Sequence, residues 1–180
     1  MSVKYNFAGI PNGIFVKIIF MKIIIVFISI LVASGILFVN LYTSIVDAKS
    51  WGGEIPGSIA TARNYFKAVN PGDYFRVISP LCQVIALLAL ILFWKSSPSI
   101  RLCLGAALIF YIIGDVMTFA YFYPRNDIMF KTASLTNVEL LKKTLSEWTS
   151  MNWVRSMIVA AGLFLSCLAL HKIYLLHNIK

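Results

Sequence analysis

Four long apolar runs decide what this chain can fold into. A helix rising 1.5 Å per residue needs about 20 apolar residues to cross a hydrocarbon core of about 30 Å. Inside that core each backbone N–H and C=O must be bonded within the structure, which leaves helices or a closed barrel. The runs are IIIVFISILVASGILFVNLY (Ile23–Tyr42, extending back towards Ile14), YFRVISPLCQVIALLALILFW (Tyr74–Trp94), LCLGAALIFYIIGDVMTFAYFY (Leu102–Tyr123) and WVRSMIVAAGLFLSCLALHKIYLL (Trp153–Leu176). The chain therefore reads as all-α, a membrane-embedded antiparallel four-helix bundle forming one domain over residues 1–180. Its spans cover about 15–43, 74–94, 102–123 and 150–176.

Composition agrees. The chain is 59% hydrophobic and 13% charged, where a soluble domain is about one quarter charged. The net charge of +9 does not point to nucleic acid, because the basic residues flank the apolar runs and suit lipid headgroups instead. Cys82, Cys103 and Cys167 lie in apolar segments without a C-x-x-C, which argues against a thiol oxidase and against a thiolate metal site. They read as small buried hydrophobes. No cleavable leader is expected, since the first apolar stretch is too long for a signal peptide and no small-residue cleavage site follows it closely.

Lys17 and Lys22 before the first span, and the short KSSPSIR hairpin, place both termini in the cytoplasm by the positive-inside rule. Lys4, Lys172 and Lys180 fall on the same side. The expected location is a bacterial inner membrane. The outer loops carry two short amphipathic helices. In SIATARNYFKAVNPGD, Ser58 reads as a cap, Asn70-Pro71-Gly72 as a stop, and Asp73 as the cap of the second span. Thr136 and Glu139 form a capping-box pattern on a second helix that runs into the fourth span. Pro124 ends the third span. Trp51 and Trp94 read as interfacial-belt residues, and His171 and His177 as headgroup-facing rather than metal ligands.

One stripe of each span, followed at alternating steps of three and four, faces the bundle. The first gives Ser29, Ala33, Ile36, Asn40 and Thr43; the second, Arg76, Ser79, Gln83 and Ala86. The third gives Tyr111, Asp115, Thr118 and Phe122; the fourth, Trp148, Asn152, Arg155, Val159, Gly162 and Ser166. The polar members gather towards the outer end. Asp115 lies about 12 Å below the boundary at Tyr123, within reach of the long Arg155 side chain. A charge at that depth costs at least about 2.5–3.5 kcal/mol without partners, so an Asp115–Arg155 pair is expected. The stripes imply an outward-facing polar pocket lined by Asn40, Arg76, Gln83, Asp115, Asn152 and Arg155, with Tyr111, Phe122, Trp148 and Trp153 as aromatic walls. A helix-bridging role for the same side chains is the structural alternative.

The pattern of Thr118, Pro124, Asn126, Trp148, Asn152 and Arg155, in TFAYFYPRND and SEWTSMNWVR, resembles the small four-span membrane proteins of the anthrone oxygenase family. The glycine-bearing first span and the helix before the second fit more loosely. The resemblance implies a four-helix membrane bundle. In characterised members it also implies oxidation of a tricyclic anthrone to the anthraquinone by dioxygen, with no known metal or flavin, so no cofactor is expected. Asn126, Trp148, Asn152 and Arg155 are its matching polar and aromatic positions. This sequence differs from the pattern in Arg125, Asp127 and Asp115.

Such chemistry needs a base to form the phenolate and a fixed cation or amide to hold the oxyanion. Asp115 is the candidate base, and Arg155 with Asn152 the candidate oxyanion partner. Asn40, Arg76, Gln83, Tyr111, Thr118, Asn126 and Trp148 are the candidate ligand-binding residues. No H-x-x-H, Gly-rich phosphate loop or G-x-S-x-G competes. The expected partners are the lipid bilayer and a small hydrophobic or aromatic ligand, and not nucleic acid. A non-enzymatic structural or accessory subunit of a membrane protein complex is the rival reading, and transport is the least favoured; further copies of the chain or membrane-complex subunits are the other expected partners.

Overall fold

The computed structural model describes residues 12–131 and 136–178. Lys4 and Lys180 fall outside them, and so does the side chain of His177. Every regular element among the described residues is helical. Helix α1 (Asn12–Tyr42) passes through a π turn (Thr43–Asp47) into α2 (Ala48–Trp51). Helix α3 (Gly57–Tyr65) precedes α4 (Pro71–Leu92). Helix α5 (Pro98–Met117) continues through a π turn (Thr118–Phe122), α6 (Tyr123–Asn126) and a further π turn (Asp127–Lys131), and α7 (Val138–Asn178) closes the chain.

Four helical stretches are long and apolar enough to cross a membrane: Lys17–Trp51, Pro71–Leu92, Pro98–Lys131 and Val138–Leu176. The chain is a multi-pass membrane protein. Large apolar side chains point away from the bundle along every stretch, among them Phe27 and Phe38 on α1, Val84 on α4, Leu102 and Ile109 on α5, and Phe164 on α7. In water such a surface would aggregate; in lipid it matches the solvent. Helix α7 has 41 residues, about 60 Å at the α-helical rise, so it outruns a bilayer core of about 30 Å.

The interior stacks in three layers. Val26, Ala89, Phe93, Ile100, Leu104, Ala169 and Ile173 form one. Ala33, Ile36, Cys82, Ala86, Ala107, Tyr111 and Val159 form the next. Ala48, Trp51, Ala62, Phe122, Met129, Leu145 and Trp148 form the third. Residue numbers rise through the layers along the first and third long stretches and fall along the second and fourth. The third layer, called the loop end here, is aromatic. Trp51 sits 5.3 Å from Trp148 and 5.0 Å from Phe130, and Phe122 sits 5.4 Å from Trp148, all edge-on, the arrangement that ring quadrupoles favour.

Several local expectations are corrected. Pro124 does not end its helix, because it falls in the first turn of α6 directly after a π turn, where the hydrogen-bond register has already changed. The cap of α4 is Asn70, whose side chain accepts from Gly72 N at 2.8 Å, while Asp73 returns the box by accepting from Asn70 N at 2.9 Å. Ser58 does not cap α3; its hydroxyl donates to the carbonyl of Trp51. Asn137, beside Thr136, caps α7 by accepting from Leu140 N at 3.0 Å. The amphipathic segment after it does run unbroken into the fourth span. Cys82 is buried, but Cys103 is half-buried and Cys167 exposed. Trp51 belongs to the aromatic layer rather than a belt, whereas Trp94 is exposed.

Helices α5 and α7 approach closely at Gly162. A Cβ there would lie 2.7 Å from Tyr111 Cε1 and 3.1 Å from Phe110 Cβ. Small residues let membrane helices reach such distances. Gly162→Ala therefore overpacks the contact and is expected to destabilise the bundle by about 1–3 kcal/mol, read as a lower midpoint in detergent unfolding. An unchanged midpoint would show that the interface gives way freely.

Candidate functional site

All six residues of the α7 stripe, Trp148, Asn152, Arg155, Val159, Gly162 and Ser166, are buried. Arg155 is the unusual one, a guanidinium only 5% exposed within a membrane helix. Its Nη2 donates to Asn152 Oδ1, one turn earlier, and its Nη1 to Thr118 Oγ1 at 3.2 Å. The Phe122 ring centre lies 4.1 Å from the guanidinium carbon and the Phe75 ring centre 5.2 Å. Aromatic faces of this kind attract a desolvated cation. Its Nε has no protein partner.

Asn152 is fully buried and joins three parts of the chain. Its Nδ2 donates to the carbonyl of Asn40 at 3.0 Å and to Ser44 Oγ at 2.7 Å, and its Oδ1 receives Arg155. Ser44 lies in the first π turn, and Thr118 and Phe122 begin and end the second. The widened turns thus stand where α1 and α5 meet the polar residues of α7. In the aromatic layer, Trp148 Nε1 donates to Asn126 Oδ1 at 2.9 Å.

The expected Asp115–Arg155 ion pair is not formed, and among the described residues Arg155 has no ion pair. Asp115 instead accepts from Gln83 Nε2 across to α4, with the Ser79 hydroxyl beside it. The guanidinium is drawn away by Thr118, Asn152 and the two rings. Tyr111 OH pairs with Ser166 Oγ at 3.0 Å, one turn deeper.

Two cavities, not one, meet at Arg155. The outer chamber, about 400 Å³, has walls that include Trp51, Phe66, Phe75, Phe122, Phe130 and Trp148, with Arg76, Thr118, Asn126 and Arg155 among its polar lining. That is the size range of small-molecule sites. The inner cavity, about 20 Å³, is lined by Asn40, Ser79, Cys82, Tyr111, Asp115, Thr118 and Arg155, among others. It has room for about one water. Both amide atoms of Asn40, which is fully buried there, lack a protein partner. Phe75, Thr118 and Arg155 border both spaces.

The ten candidate residues therefore divide. Arg76, Asn126 and Trp148 line the outer chamber alone, and Asn40, Tyr111 and Asp115 the inner cavity alone. Thr118 and Arg155 line both, while Asn152 and Gln83 line neither and act by holding Arg155 and Asp115. Trp153, expected as a wall, is 43% exposed and lines neither cavity. Sequence reasoning missed Phe75 and Trp51. Phe75 directly precedes Arg76 on the loop-end turn of α4, which was its one signal; Trp51 lies beyond the first apolar run and gave none. Among the described residues no three His, Cys, Asp or Glu side chains gather as a metal-binding group.

The family model for anthrone oxygenase matches residues 72–165, just over half of the 180-residue chain. The matched region holds α5, α6 and most of α4, and ends inside α7 one residue before Ser166. No curated protein and no solved structure matches the chain.

Removing the Asn152 side chain leaves Arg155 and the Asn40 carbonyl each short of a partner. An orphaned buried polar group costs about 1–3 kcal/mol. Asn152→Ala is expected to lower the thermal midpoint in detergent by more than Asn126→Ala, because Asn126 is only half-buried where Asn152 is fully buried. Equal midpoints for the two variants would remove Asn152 as the central joint.

Proposed function

The chain belongs to the anthrone oxygenase family, and from that premise we propose that its outer chamber binds a small aromatic or lipid-like molecule and that the protein is a cofactor-independent oxygenase-like enzyme. The observation that carries the reading is Arg155, a buried cation with no carboxylate partner, set between two aromatic rings at the floor of a chamber of about 400 Å³.

In this reading a phenolic oxygen of the substrate lies against Arg155. The guanidinium favours the phenolate, and because Thr118 and Asn152 already fix it, it need not reorganise as charge develops. Asn152 is a positioning residue, since it lies behind Arg155 and outside the chamber. Asp115 takes the proton across the inner cavity, where there is room for a single bridging water. The electron-rich carbanion-phenolate then reduces dioxygen. For an anthrone the balance is one CH2 group and one O2 giving one C=O and one H2O. Both hydrogens of the methylene leave, one oxygen atom enters the ring carbonyl, and the other departs as water. We further infer one membrane-embedded domain with both termini cytoplasmic, supported by Lys17, Lys22 and the basic KSSPSIR turn.

The test is oxygen uptake and quinone absorbance with a simple anthrone and detergent-purified protein, after subtracting buffer autoxidation. Wild type is expected to exceed the background. Arg155→Gln is expected to reduce turnover by about 10²–10³, the loss typical of one oxyanion donor, while keeping its helical signal. Wild-type rates equal to buffer would sink the enzyme reading.

A further inference from the structure

Resting on the reading of the outer chamber as a ligand site, we propose that its ligand is an aromatic acid, a flat apolar body bearing an anionic group at the chamber mouth in addition to the oxygen set against Arg155. The charge of the lining carries this. Arg63, Lys67, Arg76, Lys131 and Arg155 line the chamber, against Asp127 as its one carboxylate. Asp127 is engaged by Lys131 at 2.7 Å, and Arg63 Nε is anchored on the Met129 carbonyl at 2.8 Å. Arg76 reaches Asp73 at 2.8 Å with a side chain 61% exposed. Lys67, also exposed, forms no ion pair among the described residues, as Arg155 does not. A concave surface with so many charges of one sign and apolar walls concentrates the field on whatever enters.

The second observation is the buried end. Arg155 is 5% exposed, and its Nε, without a protein partner, belongs to a side chain bordering the chamber. The site thus has a deep cation and shallower ones near the mouth, separated by aromatic walls. A neutral phenol uses only the deep one. An anionic lipid fits less well, because below Arg155 the space narrows to about 20 Å³, which gives an acyl chain nowhere to run. A rigid ring system ending at Arg155 fills the chamber and leaves its acidic group beside Lys67 and Arg76.

Trp51 and Trp148 line the chamber and report its occupancy by fluorescence, while Trp94 and Trp153 supply a constant background. The protein is placed in phosphatidylcholine nanodiscs and titrated with anthracene carboxylate and with anthracene methanol, which share a ring system and differ in charge. The carboxylate is expected to bind about tenfold more tightly, the scale of one charge-assisted contact. Lys67→Gln combined with Arg76→Gln, both exposed, is expected to erase that advantage and leave the alcohol's affinity unchanged. Added salt is expected to weaken the carboxylate alone. Equal affinities of the wild type for both probes would overturn the proposal and leave the chamber as an aromatic site. Binding of neither probe would overturn the chamber reading as well. Loss of carboxylate binding in nanodiscs containing phosphatidylglycerol, with the alcohol still bound, would assign the anion site to a lipid headgroup and overturn the aromatic acid.

Discussion

A guanidinium buried in a membrane bundle must be surrounded by compensation, and the contacts of Arg155 organise much of what stands around it. Hydrocarbon offers a cation nothing, so the protein supplies a hydroxyl from Thr118, an amide oxygen from Asn152 and two ring faces. Those acceptors and ring faces come from three different long helical stretches, so orienting one side chain also fixes the helices relative to each other. Asn152 extends the arrangement to the first stretch through the Asn40 carbonyl and Ser44. Fold and candidate site share one set of bonds here, so a helix-bridging role for these residues does not exclude the proposed ligand-binding one.

Much of this was legible in the sequence. The α7 stripe from Trp148 to Ser166 is buried at each of its six positions, and that of α1 from Ser29 to Thr43 at each of its five. Helical periodicity is robust here because one polar stripe stands out against an almost wholly apolar background. The joining of Asn126 to Trp148, and of Asn152 to Arg155, gives physical sense to the motif that marked the family. Arg76, by contrast, lay on the predicted stripe of its span yet is exposed at the chamber mouth.

What stayed hidden depends on changes of helical register and on choices between partners. Each π turn shifts which face follows it, so the extension beyond Thr118, past Pro124 to Lys131, cannot be read from a fixed period of 3.6. The same extension builds the chamber wall with Phe130 and Lys131, and it brings Trp51 inward from the interface. Asp115 and Arg155 were placed at one level correctly. Proximity did not decide pairing: Gln83 took the carboxylate and two aromatic rings took the cation, dividing one expected pocket into two spaces.

Helix α7 extends from the aromatic layer to the opposite end of the bundle as one uninterrupted 41-residue element. It carries a chamber wall at Trp148, the chamber floor at Arg155, the tight contact at Gly162 and the deep packing at Ile173. Such an element links these positions through one continuous helical backbone, with the close contact of Gly162 and Tyr111 between its two ends. Helices answer a change in bilayer thickness chiefly by tilting. A tilt of the lipid-embedded arm would be carried along this unbroken helix to Trp148 and Arg155 at the other end, which would couple the chamber's shape to the thickness of the surrounding membrane.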